Sequence, residues 1–315
     1  MNEEIYKICF NKIIDKYKKE IVPQVEPFEK ERLGYLKKYK ILTGIIWGIF
    51  AIVFIYMVYW AISHHTPIPP RRIIGIPLSF LGFWVMVCRN IGKDFKYSVR
   101  NDLMPIICKS FPYLKWITGQ SNTKNEYQKS YIIPGFERIK YGDCFLGKYK
   151  NNDFYLEEVS AIGKIEEKSA VVFTGAIIQF ELLNKDLKSH TIMHPTTENK
   201  NIPVKNIKYL KSIMFDETKK YDIYTTNENQ ANIFINEGLI KILNDIKKVY
   251  NAQNVYVSFF QGNFYLGLYT IRKHFTGGSF TKPIITDEKF NNFANEIVSI
   301  LKIIDYFNYN ENIKN

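Results

Sequence analysis

Two apolar runs interrupt an otherwise mixed pattern of hydrophobic and polar positions. The first, Ile41 to Ile62 (ILTGIIWGIFAIVFIYMVYWAI), holds 22 residues without a charge. At ~1.5 Å of rise per residue it spans a hydrocarbon core ~30 Å thick. A soluble helix of that length keeps a polar face, and this one has none, so a transmembrane helix is expected. The second run, Ile73 to Cys88 (IIGIPLSFLGFWVMVC), has 16 residues between Arg72 and Arg89. Snorkelling arginines lengthen its effective span, and Pro77 falls early, where a missing N–H costs least. A second crossing is expected, with a re-entrant or interfacial segment as the alternative. Between the runs lies HHTPIPPRR, whose Pro67, Pro69 and Pro70 cannot continue a helix and predict a hairpin tip.

Outside the runs the period changes twice. Tyr6, Phe10, Ile13, Ile14, Tyr17 and Ile21 recur at helical spacing, predicting an amphipathic arm over residues 1–40 that lies on a membrane or docks on protein. After the second run, residues 90–130 suggest a juxtamembrane helix broken near Pro105 and Pro112, then a polar linker, GQSNTKNEYQKS. From Tyr131 the texture is that of strands. FLGKY and FYLEEVSAI flank Lys150–Asp153, and NVYVSFF and FYLGLYTI flank Gln261-Gly262-Asn263, giving two hairpin signals. AVVFTGAIIQFELL, HTIMH and YDIYT add strands, while Asn229–Tyr250 and Asp287–Phe307 show helical stripes. The expected architecture is α+β: a membrane hairpin at 41–89, then a mostly antiparallel cytoplasmic domain at 131–310.

Charge alters this picture through its location. The net charge is +12, yet residues 131–315 carry 23 Lys and Arg against 21 Asp and Glu. The remaining 20 bases face only 10 acids in residues 1–130, beside the apolar runs. A nucleic-acid-binding domain concentrates charge on its folded face; this distribution is that of segments facing anionic lipid. Lys37, Lys38, Lys40, Arg89 and Lys93 are the expected headgroup contacts. Five basic residues before the first run and five after the second outnumber Arg71 and Arg72 at the tip, so both termini are expected in the cytoplasm. Trp47, Tyr59, Trp60 and Trp84 are the expected interfacial anchors. Gly44, Gly48, Gly75, Ser79 and Gly82 would let helices approach closely, within the hairpin or between two copies.

Candidate chemistry is sparse. Cys9, Cys88, Cys108 and Cys144 form no C-x-x-C pair and are read as free thiols. His190 and His194 would meet one metal ion on a helix, but on a strand they stand ~13 Å apart. Glu157-Glu158 and Glu166-Glu167 are read as solvated faces, and Gly277-Gly278 as a contact loop without P-loop spacing. No catalytic residue, metal site or cofactor is assigned. The phrases YGDCFLGKYKNNDFYLEEV, VVFTGAIIQFEL, FDETKKYDIYTTNENQANIFINEGLIKIL and VYVSFFQGNFYLGLY resemble the bacterial domain-of-unknown-function family 3137, across roughly residues 90–307. That resemblance implies a bacterial membrane-associated protein and no activity. The expectation is an inner-membrane binding or scaffold module, with membrane lipids and a protein partner or a second copy as ligands. The alternative is an enzyme using Cys144 with His190 or His194 on a membrane-bound substrate.

Overall fold

The structure is a computed structural model. It describes residues 3–64, 70–117, 122–165, 168–182, 189–196, 206–216, 219–271, 281–284 and 286–314. The chain forms two units, one of residues 22–106 with 276–286, the other of the remainder.

The first unit is built on two long helices, α2 (Val22–Ser63) and α3 (Pro70–Cys108). With 42 and 39 residues they extend about 63 and 58 Å, so each apolar run fills only half of its helix. α3 runs through Pro105 and ends one turn beyond it, at Cys108, before Pro112. Aromatic rings join the helices. Phe50 meets Phe80 edge-on at 5.3 Å, Tyr35 meets Phe95 at 5.5 Å, and Trp84 Nε1 donates to Thr43 Oγ1 at 3.3 Å. The small residues do not line this contact: a Cβ on Gly44, Gly48, Gly75 or Gly82 would meet no atom within 4 Å. Ser79 Oγ instead donates to Gly75 O within its own helix. In the polar half of α2, Arg32 is buried and donates twice to Glu29 Oε1, at 2.9 and 2.6 Å. Glu29 Oε2 also accepts from the Ile284 N–H at 3.2 Å, fixing that segment to α2.

The second unit contains a nine-stranded, wholly antiparallel sheet. Its strands are β1 (Leu114–Ile117), β2 (Phe136–Tyr149), β3 (Asn152–Ile165), β4 (Lys168–Glu181) and β5 (Thr191–Pro195). β6 (Lys208–Met214), β7 (Lys220–Thr225), β8 (Asn254–Phe260) and β9 (Asn263–Tyr269) complete it. The spatial order is β1-β2-β3-β4-β9-β8-β5-β7-β6. Both foreseen hairpins form, each with a two-residue turn. Lys150–Asn151 links β2 to β3 with Lys150 at φ 53°, and Gln261–Gly262 links β8 to β9 with φ 50° and 74°. In the β8–β9 turn, positive φ at both central residues matches the right-handed strand twist, which is why glycine sits at its second position.

Helices cover the two faces unequally. Phe145, Phe180, Phe259 and Phe264 point to the side of α7 (Asp287–Lys314), where they meet Phe293 and Phe307. α6 (Glu237–Val249) packs on α7 and β8, and α1 (Glu3–Lys16) packs on α7. The amphipathic arm therefore docks on protein: Tyr6, Ile13, Tyr17 and Ile21 are buried, and Tyr17 stacks on Phe290. The opposite face is covered by α4 (Lys124–Ser130) and the segment to Phe136, with Tyr127, Ile132 and Ile133 over Val159, Ala161, Phe173 and Ile177.

Three expectations change. The polar linker over 119–130 contains α4, started by a capping box in which Thr123 and Glu126 each bond the other's backbone N–H. The helix expected over Asn229–Tyr250 is two, α5 (Glu228–Phe234) and α6. They part where the Asn236 side chain caps the Leu239 N–H at 3.1 Å. The sheet begins at Leu114 rather than after 131, and β6 was not foreseen.

Candidate functional site

A sheet face under a covering helix is normally apolar, yet part of the face beneath α4 is polar. Glu157 on β3, Gln179 on β4, Tyr265 on β9, Ser258 on β8 and His190 just before β5 cross the sheet in sequence, all buried. The α4 segment reaches down to them. Tyr127 OH donates to Glu157, Asn122 Nδ2 to Gln179, and Gln179 Nε2 continues to Tyr265 OH at 3.3 Å. A fully buried carboxylate is costly unless charge-assisted bonds compensate its desolvation, and Tyr127 supplies one. Tyr141 OH is buried without a hydrogen-bond partner, and burial, then Glu157 and Glu126, push its pKa up.

The two histidines hold the end of α4. His190 Nε2–H donates to Ser130 O at 2.9 Å, and Ser258 Oγ donates to the same oxygen. Ser130 is the last residue of the helix and Tyr131, at φ 56°, is its left-handed cap. Terminal helix carbonyls lack intrahelical donors, and these side chains provide them. His194 stacks on Tyr131 at 5.7 Å, meets Tyr256 edge-on at 5.2 Å and bonds the Tyr131 backbone. Its Nε2 has no partner. Burial lowers the pKa of both rings, that of His194 to about 3, and the bonds to the Ser130 and Tyr131 backbones oppose the shift.

Cys144 is buried on β2, paired with Ile117 and Glu157. Five strand spacings separate β2 from β5, about 24 Å at ~4.8 Å each. The structure therefore does not bring Cys144 to His190 or His194. Among the described residues no three His, Cys, Asp or Glu side chains gather as metal ligands. Burial pushes the Cys108 thiol up to about 12, away from nucleophilic chemistry. Glu157 and Glu158 are buried rather than solvated, because β3 is central and both faces are covered. Glu166, Glu167, Gly277, Gly278 and residues 65–69 of the hairpin tip lie outside the described residues.

A groove of about 1170 Å³ opens between α1, α6, α7 and the β2–β3 turn. At its floor Asp305 accepts from Tyr6 OH at 2.7 Å and Tyr149 OH at 2.9 Å, and pairs with Lys150 at 2.5 Å. Its lining mixes both charges with Ile5, Ile242 and Val249.

On the helical unit, Trp47, Tyr59 and Trp60 are exposed and Trp84 is half-buried against Thr43. Lys37, Lys38, Lys40, Arg89 and Lys93 are exposed beside the apolar runs. α2 and the stretch Ile73–Phe95 are long and apolar enough to cross a membrane. Only 6% of the most apolar 18-residue window of the first is buried, and none of the second's.

No curated protein and no solved structure matches the chain. Residues 171–309, from within β4 to the last turns of α7, match the family described as Protein of unknown function (DUF3137), a narrower span of the family that the sequence resembles.

Proposed function

We propose that the chain is a two-pass protein of the bacterial inner membrane, anchored by α2 and α3, whose α+β unit is a non-catalytic binding or scaffold module at the cytoplasmic leaflet. One observation carries the reading: apart from the side on which they touch each other, the apolar halves of both helices are uncovered over most of their surface. Ile52 and Ile74 are 69% and 67% exposed. Leaving this many large aliphatic and aromatic side chains in water costs roughly 1.5–3 kcal/mol each relative to burial, and a bilayer removes that cost. Lys37, Lys38, Lys40, Arg89 and Lys93 would meet anionic headgroups, and Trp47, Tyr59 and Trp60 the interface. The scaffold reading is supported by the separation of Cys144 from both histidines and by the use of those histidines as carbonyl donors.

Topology tests it. Single reporter cysteines at Thr66 and at Asn199 are labelled in intact cells with a membrane-impermeant thiol reagent. Labelling at Thr66 alone is expected. Labelling at Asn199 alone reverses the orientation, and labelling of neither until lysis removes the second crossing.

A further inference from the structure

Strand β6 ends the sheet. Its inner side pairs with β7, and among the described residues no strand pairs with its outer side. No residue of β6 is buried, although four of the six in β7 beside it are. Tyr209 and Met214 are 56% and 54% exposed. The direction of the backbone follows from the turn. The Phe215 N–H donates to Lys219 O at 2.9 Å, so Lys211 and Ile213, opposite Ile223 and Tyr221, bond inward. Antiparallel alternation then turns the N–H and C=O groups of Ser212 and Met214 outward. The register shift between Tyr209 and Lys211 limits the straight, open stretch to Lys211–Met214.

Charge selects the occupant. Lys208, Lys211 and, on the adjoining strand, Lys220 are exposed, and β6 contains no acid. Among the described residues, the acids on and next to β7 are engaged: Asp222 is buried and accepts from Ser212 and Thr196, and Asp216 pairs with Lys247 at 2.6 Å. Edge lysines repel a like strand, which disfavours a second copy, and attract an acidic one. We propose that β6 is an acceptor edge for an acidic, extended segment of a partner protein, bound by strand addition through Ser212 and Met214 with Tyr209 and Met214 covered by its side chains.

The test uses the full chain in lipid nanodiscs and amide hydrogen exchange across β6. Two capped peptides of about eight residues, an ordinary strand length, are added at about 1 mM, one alternating glutamate with valine, the other lysine with valine. The glutamate peptide is expected to slow exchange at Ser212 at least tenfold and the lysine peptide to leave it unchanged. Met214→Pro removes an outward N–H while sparing the inward N–H groups that bond β7, and should abolish the effect. The pair Lys208→Glu and Lys211→Glu, which leaves the backbone intact, should exchange the two peptides' behaviour. No slowing with the glutamate peptide, equal slowing with both, or indifference to the charge reversal would overturn the proposal.

Discussion

Acid should destabilise the sheet unit through His194. Its pKa falls from 6.5 to about 3 because burial disfavours the charged ring. The unfolded chain takes up a proton below pH 6.5 that the folded chain refuses until about pH 3. Stability is therefore intact above pH 6.5 and is lost as pH falls through 6.5 towards 3. The loss reaches about 2 kcal/mol at pH 5 and about 5 kcal/mol below pH 3, at 1.36 kcal/mol per unit of pKa difference. His190 is lowered too, so wild type alone does not isolate the effect. His194→Phe keeps a ring against Tyr131 and Tyr256 and removes the titrating nitrogens. Urea unfolding of the detergent-solubilised chain, followed by far-UV circular dichroism at pH 7.5 and 5, gives the comparison. Wild type should lose about 2 kcal/mol more than His194→Phe between those pH values, whatever the variant costs at pH 7.5. Asp222 stands opposite His194 in the β5–β7 ladder but accepts from Ser212 and Thr196. Equal losses in the two proteins would mean that His194 is charged in the fold, with Asp222 as its counter-ion, and would refute the reasoning.

Four further outcomes are expected. Tyr127→Phe removes a donor from the buried Glu157 carboxylate and should cost about 1.5–3 kcal/mol. Tyr141→Phe deletes a buried hydroxyl that has no partner and should be neutral or stabilising; urea midpoints of both variants compare them directly. Gly147→Ala places a Cβ within the Phe154 ring and should cost about 1–3 kcal/mol, less so in a Phe154→Leu background, measured as a double-mutant cycle. Asp305→Asn weakens the tie of α1 to α7 and the β2–β3 turn, so limited proteolysis should cut within residues 3–16 faster than in wild type.

The features legible in the sequence are those whose cause is local. A run of 22 uncharged residues, two-residue turns with Gly262 or Asn151, and alternating apolar strands each declare themselves within a short window. α4 is declared only in part: Thr123-x-x-Glu126 is a local capping box, but no apolar stripe follows it, because the packing of KNEYQKS rests on Tyr127, whose ring and hydroxyl are used by strands 30 or more positions away. The division of α5 from α6 depends on one capping side chain, Asn236, inside an otherwise continuous apolar stripe. The glycine steps of the two long helices are legible as a motif, but which surface they serve is not local: within one chain the helices meet through Phe50 and Phe80, and no atom lies within 4 Å of a Cβ on Gly44, Gly48, Gly75 or Gly82.

The histidines show why a site is harder to read than a fold. At a spacing of four they suggest a metal pair, and in and just before strand β5 they instead face the C-terminus of a helix brought from 60 positions earlier. Nothing in HTIMH encodes that helix. The same holds for the polar row: Glu157, Gln179, Tyr265, Ser258 and His190 come from five segments spread over more than 100 residues, and only the strand order makes them neighbours. That order is set by long-range pairing, in which β4 skips four intervening strands to lie beside β9. Buried polar groups then act on the pairing itself, since a slip of one residue would turn Glu157 to the opposite face and separate it from Tyr127. The row is best understood as a device that fixes where α4 sits: remove Tyr127, His190 or Ser258 and the helix loses a bond to the sheet at one end or the other.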